Sequence, residues 1–190
     1  MRRGNLFVIS GPSGAGKGTL VARLLQEVPD AWLSVSATTR LPREGEVDGV
    51  SYYFLDRDRF EELVREDGFL EWAEYSGNCY GTPYESVRDN IDAGKQVILE
   101  IDVQGAFQVR DRIPDARLVF IEPPSFEELE RRLRGRGTED EETVKRRLEA
   151  AKVELSQKEE YDITLVNDDL EAAVCELAAY VNEQAEETRG

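Results

Sequence analysis

The chain is expected to fold as an α/β domain in which a parallel sheet is flanked by helices. Three observations lead there. Apolar runs of strand length recur at 6–10, 96–102, 117–121 and 163–166, each reading as a strand buried on both faces. Amphipathic helical stretches separate these runs, the alternation that parallel sheets require. A glycine-rich turn joins the first run to the first helix and reads Gly11-Pro12-Ser13-Gly14-Ala15-Gly16-Lys17-Gly18-Thr19.

In chain order, the first strand spans 6–10 and the first helix 17–27. The polar stretch 34–58 carries short strand-like pieces, and helical patterns follow at 58–66 and 84–93. A second strand is expected over 96–102, a helix over 104–112 and a third strand over 117–121, after which Pro123-Pro124 breaks the chain. The run 125–160 is highly charged and helical in period, and a last strand at 163–166 leads into a helix over 169–183. Asp168 or Asp169 is placed to cap that helix. Ligands of such sheets sit beyond the carboxyl ends of the strands, where Gly11, Asp102, Glu122 and Asn167 fall.

Composition narrows the chemistry. A length of 190 residues suits one domain able to bury a core without staples. A formal net charge of -16 argues against a broad nucleic-acid-binding face. No histidine is present, which excludes an imidazole base or a His-ligated metal. Cys79 and Cys175 stand far apart in no metal-spaced cluster and read as free thiols of a reducing compartment. With neither a signal-type leader nor a membrane-spanning run, a cytoplasmic protein is expected.

The glycine-rich turn has the context of a phosphate-binding loop, strand before and helix after. Gly11, Gly14 and Gly16 permit positive φ and close approach to a ligand. Amides from Ser13 to Thr19 would then form an anion nest at a helix N-terminus, with Lys17 as a point charge for the outer phosphates. One position departs from the usual pattern. Gly18 stands where a Ser or Thr hydroxyl ordinarily touches Mg²⁺, so no direct metal ligand is expected there, and Thr19 is left to reach a phosphate oxygen.

A second informative stretch runs from Ser36 to Phe54. Arg40 and Arg43 flank Pro42, and with the Tyr52 hydroxyl they are able to converge on one phosphate, because a guanidinium meets two oxygens at once. The pattern T-T-R-x-x-R-x-x-E-x-x-G-x-x-Y-x-F resembles the signature of guanylate kinases. Gly68-Phe69-Leu70-Glu71-Trp72-Ala73, Ser76-Gly77-Asn78-Cys79-Tyr80-Gly81-Thr82, Glu100-Ile101-Asp102-Val103-Gln104-Gly105, Arg134-Gly135-Arg136-Gly137-Thr138 and Val166-Asn167-Asp168-Asp169-Leu170 resemble the same family in the same order.

The resemblance implies a nucleoside-triphosphate-binding core of the P-loop type (1–34, 93–124 and 156–190), a mixed α/β arm for GMP (35–92) and a helical lid (125–155). It implies that residues 11–19 bind ATP, with Asn167 near adenine. It implies that Arg40, Arg43, Tyr52 and Tyr80 hold the GMP phosphate, that Ser36, Glu71, Thr82 and Asp102 face guanine, and that Arg136 and Arg147 close over the transferring phosphoryl. Guanine presents donors at N1 and the 2-amino group side by side, which one carboxylate can accept, and an acceptor at O6 for a hydroxyl such as Thr82 or Ser36. Adenine would leave that carboxylate unpaired, at a cost of about 1–3 kcal/mol or more. Glu100 is read as steadying Mg²⁺ through water, as orienting Arg40 or Arg43, or as a strand-end acid in a salt bridge. Arg131, Arg132 and Arg146 read as helix-surface partners of nearby acids.

The expected reaction is ATP + GMP → ADP + GDP, with Mg²⁺ accompanying ATP and dGMP as a further acceptor to test. A phosphate monoester has a second pKa of about 6, so the nucleophile needs no general base. Two alternatives stay open at this level: an inactive guanylate-kinase-like binding module, and a monophosphate kinase of another base specificity. No feature of the sequence sets an oligomeric state.

Overall fold

The computed structural model describes residues 4–75, 77–135 and 141–187. Strand β1 (Asn5–Ser10) shows how the sheet comes to be buried on both sides. Alternate side chains of a strand point to opposite faces. Leu6 and Val8 accordingly enter one apolar core, and Phe7 and Ile9 the other. The remaining central strands are β2 (Ala31–Leu33), β7 (Gln96–Glu100), β8 (Arg117–Glu122) and β9 (Ile163–Val166). They pair in the order β2-β7-β1-β8-β9, every pairing parallel, so all five carboxyl ends open on one edge.

Helices α1 (Lys17–Glu27) and α7 (Leu170–Glu187) cover one face, where Leu20, Leu24, Leu177 and Val181 meet Phe7 and Ile9. Helices α3 (Tyr84–Asp92) and α4 (Val103–Arg112) cover the other through Val87, Ala106 and Val109. Each fully buried side chain of this kind contributes about 1.5–3 kcal/mol of transfer free energy.

Two further units stand at the open edge. Strands β3 (Ala37–Thr38), β4 (Tyr53–Phe54), β5 (Phe69–Tyr75) and β6 (Asn78–Pro83) form a second sheet, ordered β4-β3-β6-β5, with antiparallel β3–β6 and β5–β6 pairs. Helix α2 (Arg57–Arg65) packs on it, and the rings of Phe60 and Phe69 stack at 4.4 Å in a small core with Ala37 and Cys79. The other unit is the helix pair α5 (Phe126–Gly135) and α6 (Glu141–Leu155), held by Leu129, Leu133, Val144 and Leu148.

The structure refines the sequence expectations at several places. Strand β2 and the β5–β6 hairpin are strands that the sequence pattern does not predict. The strand expected over 96–102 stops at Glu100, because the Asp102 side chain accepts from the Gly105 amide at 2.8 Å and turns the chain into α4. The helical run 125–160 is divided, and residues 136–140, Arg136 and Thr138 among them, lie outside the described residues, as does Ser76. Asp169 caps α7, accepting from the Ala172 amide at 2.8 Å. Cys79 and Cys175 are free thiols. Among the described residues no helix is long and apolar enough to cross a membrane.

Candidate active site

The loop after β1 turns through positive φ at Gly11, Gly14 and Gly16 and enters α1 with no side chain capping its first amides and no acid in its first turn. Helices α2, α4 and α7 are capped by contrast: Asp56 accepts from the Arg59 amide at 2.7 Å, and Asp102 and Asp169 act likewise. The start of α1 thus keeps the positive end of its dipole uncompensated, the condition for holding an anion. Pro12 and Ala15 are buried while Ser13, Gly18 and Thr19 are more open, and the Pro12 carbonyl accepts from the Ala15 amide at 3.1 Å. The Lys17 ammonium lies over the loop, donating to the Gly11 and Pro12 carbonyls at 2.5 and 3.2 Å.

Asn167, buried at the end of β9, props this loop from beneath. Its side-chain amide donates to the Ala15 carbonyl at 2.8 Å, and its own carbonyl accepts from Arg132 at 3.1 Å. A Cβ at Gly16 would come within 2.4 Å of the same amide nitrogen.

Beside the loop lies a cleft of about 260 Å³ lined by Ser36, Tyr52, Glu71, Tyr80, Glu100 and Asp102, among others. Six of the residues singled out in the sequence thus come together. Glu71, on β5 and only 8% exposed, accepts from the Thr82 hydroxyl at 2.6 Å across the hairpin. Burial pushes its carboxyl up to about 7; the Thr82 hydrogen bond opposes the shift and the nearby Asp102 adds to it. Thr82 therefore meets the cleft through Glu71, while Ser36 lies on the cleft wall itself, with Tyr52 and Tyr80 as the phenolic hydroxyls beside it.

At the cleft's outer end the Arg40 guanidinium forms two hydrogen bonds to the Glu46 carboxylate, at 2.8 and 3.0 Å, and lies 5.4 Å from the Tyr52 ring centroid. Tyr52 and Tyr80 meet edge to face at 6.2 Å. Glu46 also accepts from the Arg43 amide at 2.7 Å, and these partners, Arg40 first, hold its carboxyl below the usual range. The sequence reading assigns Glu46 no role. Its signal is its place three residues beyond Arg43. Glu46→Gln is expected to leave Arg40 unaligned and to raise KM for GMP about fivefold with kcat nearly unchanged, which steady-state titration of GMP at saturating ATP will check.

Glu100 joins loop to cleft. Its carboxylate lies 3.6 Å from where a Cβ on Gly18 would sit; burial raises its pKa and Lys17 draws it back. The Arg40 side chain donates to Glu46 and the Leu41 carbonyl and is also hydrogen-bonded to Tyr80. A second carboxylate missed in the sequence is Glu154 on α6. It lines the neighbouring hollow with Asp102, and its pKa is raised by burial, lowered by Lys17 and raised by Asp102. Arg147 is half-buried on the same helix. Arg131 and Arg132 both bind Glu128, whereas Arg146 reaches the Thr143 hydroxyl at 3.5 Å. Glu122 is taken by Lys158 at 2.9 Å.

The family model described as guanylate kinase matches residues 3–184. A guanylate kinase of Parasynechococcus marenigrum (strain WH8102) is 58% identical over 174 residues, 92% of this chain and 96% of the relative. One of Synechococcus sp. (strain CC9311) is 56% identical over 175 residues, 92% of each. The crystal structure of guanylate kinase from Anaplasma phagocytophilum superposes with a TM-score of 0.78 at 35% identity, covering 97% of this chain and 87% of that one.

Proposed function

Since this chain belongs to the guanylate kinase family and is a kinase that transfers a phosphoryl group from ATP to GMP, we propose that the loop 11–19 holds ATP while the cleft beside it holds GMP. One observation carries the assignment. Glu100 borders both places, so a triphosphate on the loop and a monophosphate in the cleft would end within reach of each other.

On this reading residues 35–92 are the acceptor arm, 125–155 the lid, and the remainder the core. Glu71 accepts from N1 and the 2-amino group of guanine, with Asp102 behind it. Ser36 supplies a proton to O6, and Thr82 fixes Glu71 from the side. Arg40, Arg43, Tyr52 and Tyr80 receive the GMP phosphate. Lys17, the loop amides, Arg147 and the undescribed Arg136 counter charge on the phosphoryl in flight. The nucleophile is a phosphate oxygen already ionised at neutral pH, so proton abstraction is not a barrier. What the protein supplies is alignment of two anions and screening of their repulsion.

The residues fit a magnesium ion that travels with ATP. Among the described residues no group of three or more His, Cys, Asp or Glu side chains is arranged to hold a metal, while Glu100 places one carboxylate opposite Gly18. That suits an ion coordinated by substrate oxygens and water, with Glu100 as its outer partner. When bound, the ion neutralises charge on the bridging phosphates. A cytoplasmic setting accords with the free thiols.

The test follows from Glu71. Its proton must leave before it accepts from guanine. KM for GMP is therefore expected to rise as pH falls below about 7 and to level off above it. GMP's own phosphate titrates at a pH of about 6, so the Glu71→Gln enzyme, which keeps only the phosphate ionisation, is the reference. Identical profiles for the two enzymes would remove Glu71 from the base site.

A further inference from the structure

Strand β5 is the edge of the second sheet, so among the described residues the outward backbone groups of β5 face no neighbouring strand. Helix α4 supplies the missing partner with side chains. Gln108 presents its amide to Trp72 both ways, its oxygen accepting from the Trp72 N–H and its nitrogen donating to the Trp72 carbonyl, each at 3.3 Å. One turn further on, Arg112 donates to the Phe69 carbonyl and to the Asp67 carboxylate. Residues four apart share a face of a helix. Gly105, three residues before Gln108, lies on the same side: a Cβ there would come within 3.0 Å of the Glu71 carboxylate.

Glu71 thus sits between two backbone points, Phe69 and Trp72, that are tied to α4. A register shift in the β5–β6 pairing falls between Phe69 and Glu71, so cross-strand pairing alone fixes its position less firmly than elsewhere. Nor does close packing fix it from the outer side. A largely polar hollow of about 160 Å³ separates β5 from α4, bordered by Glu71, Trp72, Gln108 and Arg112. On the inner side Leu70 packs into the core with Ala106 and Val109 of α4, so across the hollow it is the hydrogen bonds of Gln108 and Arg112 that hold the flanking backbone of β5.

We propose that Gln108 is a positioning residue for guanine selection: its two-way pairing with Trp72 holds β5 on α4 so that the Glu71 carboxylate meets the N1 and 2-amino donors together. The proposal rests on Glu71 as the base-reading group. A bidentate contact is sensitive to small displacements of the carboxylate, because one of its two bonds lengthens first. Inosine monophosphate, which keeps N1–H and O6 but has no 2-amino group, reports that second bond.

The experiment compares kcat/KM for GMP and for inosine monophosphate in the wild type, Gln108→Met and Glu71→Gln. Methionine keeps the length and packing of the side chain but cannot replace the paired hydrogen bonds. Gln108→Met is expected to lower the GMP-to-inosine ratio by roughly three- to tenfold, through KM for GMP, with KM for ATP and kcat within about twofold. Gln108→Glu, which still accepts from the Trp72 N–H but opposes the Trp72 carbonyl with a charge, is expected to lower the ratio as well. If Gln108→Met leaves the ratio intact, or lowers both substrates equally along with the melting temperature, Gln108 is only a structural tie. If Glu71→Gln itself leaves the ratio unchanged, the base-site assignment fails instead. A collapse of the ratio in Glu71→Gln with none in Gln108→Met overturns this proposal alone.

Discussion

Lys17→Ala is expected to lower kcat for phosphoryl transfer to GMP by about 10²- to 10³-fold, whereas Thr19→Ala should change it by no more than about threefold. The difference comes from where the two side chains stand. The Lys17 ammonium lies on the carbonyls of Gly11 and Pro12, over the bowl that the loop amides form. On the proposed assignment a charge at that point would stabilise negative charge that moves during transfer. Thr19 is exposed on the first turn of α1, and the Glu100 carboxylate lies beside position 18. Single-turnover rates at saturating ATP and GMP measure both variants. Equal losses would mean that Thr19 holds the metal or a phosphate as firmly as Lys17 does.

Glu71→Gln is expected to cost about 10²- to 10³-fold in kcat/KM for GMP and to leave KM for ATP unaltered. An amide offers one acceptor and one donor to two donors, so one bond becomes a clash. The same substitution has an opposite effect on folding above neutral pH. Burial raises the Glu71 carboxyl from the usual 4.5 to about 7, so the folded state holds a proton that the unfolded state has released over that interval. Stability attributable to this group is therefore full below about pH 4.5 and declines as pH rises towards about 7. The Glu71→Gln variant, which carries no titrating group at that position, should gain on the wild type by up to about 3 kcal/mol between about pH 5 and about pH 8. Urea denaturation at the two pH values measures the difference. A gain equal at both would place the carboxylate in water.

Much of the core was legible because its strands are buried on both faces. Runs such as Leu6-Phe7-Val8-Ile9 leave no choice of which side to expose, and the loop that follows carries its own chemistry in its glycines. The hairpin of β5 and β6 was less legible. Phe69-Leu70-Glu71-Trp72 puts three buried residues in a row and then Trp72 half out in solvent, which matches neither a two-fold nor a helical period. The partners that define the cleft are side-chain pairings that no periodicity marks: Glu71 with Thr82 across a hairpin, Asp102 at a helix cap, Arg40 with Glu46 across a turn. Residue types marked most of these as candidates. Only their pairing separates Thr82, which serves Glu71, from Ser36 on the open wall, and assigns Glu46 and Gln108 work that their identities alone do not suggest.

The prop beneath the phosphate loop bears on how this sequence is free to vary. Asn167 fills the space where a side chain at position 16 would go, and it holds the Ala15 carbonyl from 152 positions away in the chain. Gly16 and Asn167 are therefore not independent. A methyl group at 16 collides with the amide at 167, and a smaller residue at 167 removes the collision together with the support. Combined substitutions at the two sites should show strong epistasis, each altering the cost of the other. Arg132 donates from α5 to the Asn167 backbone carbonyl, a bond that does not depend on which side chain stands at 167. Drift in the last strand of the sheet is constrained by a turn that follows the first.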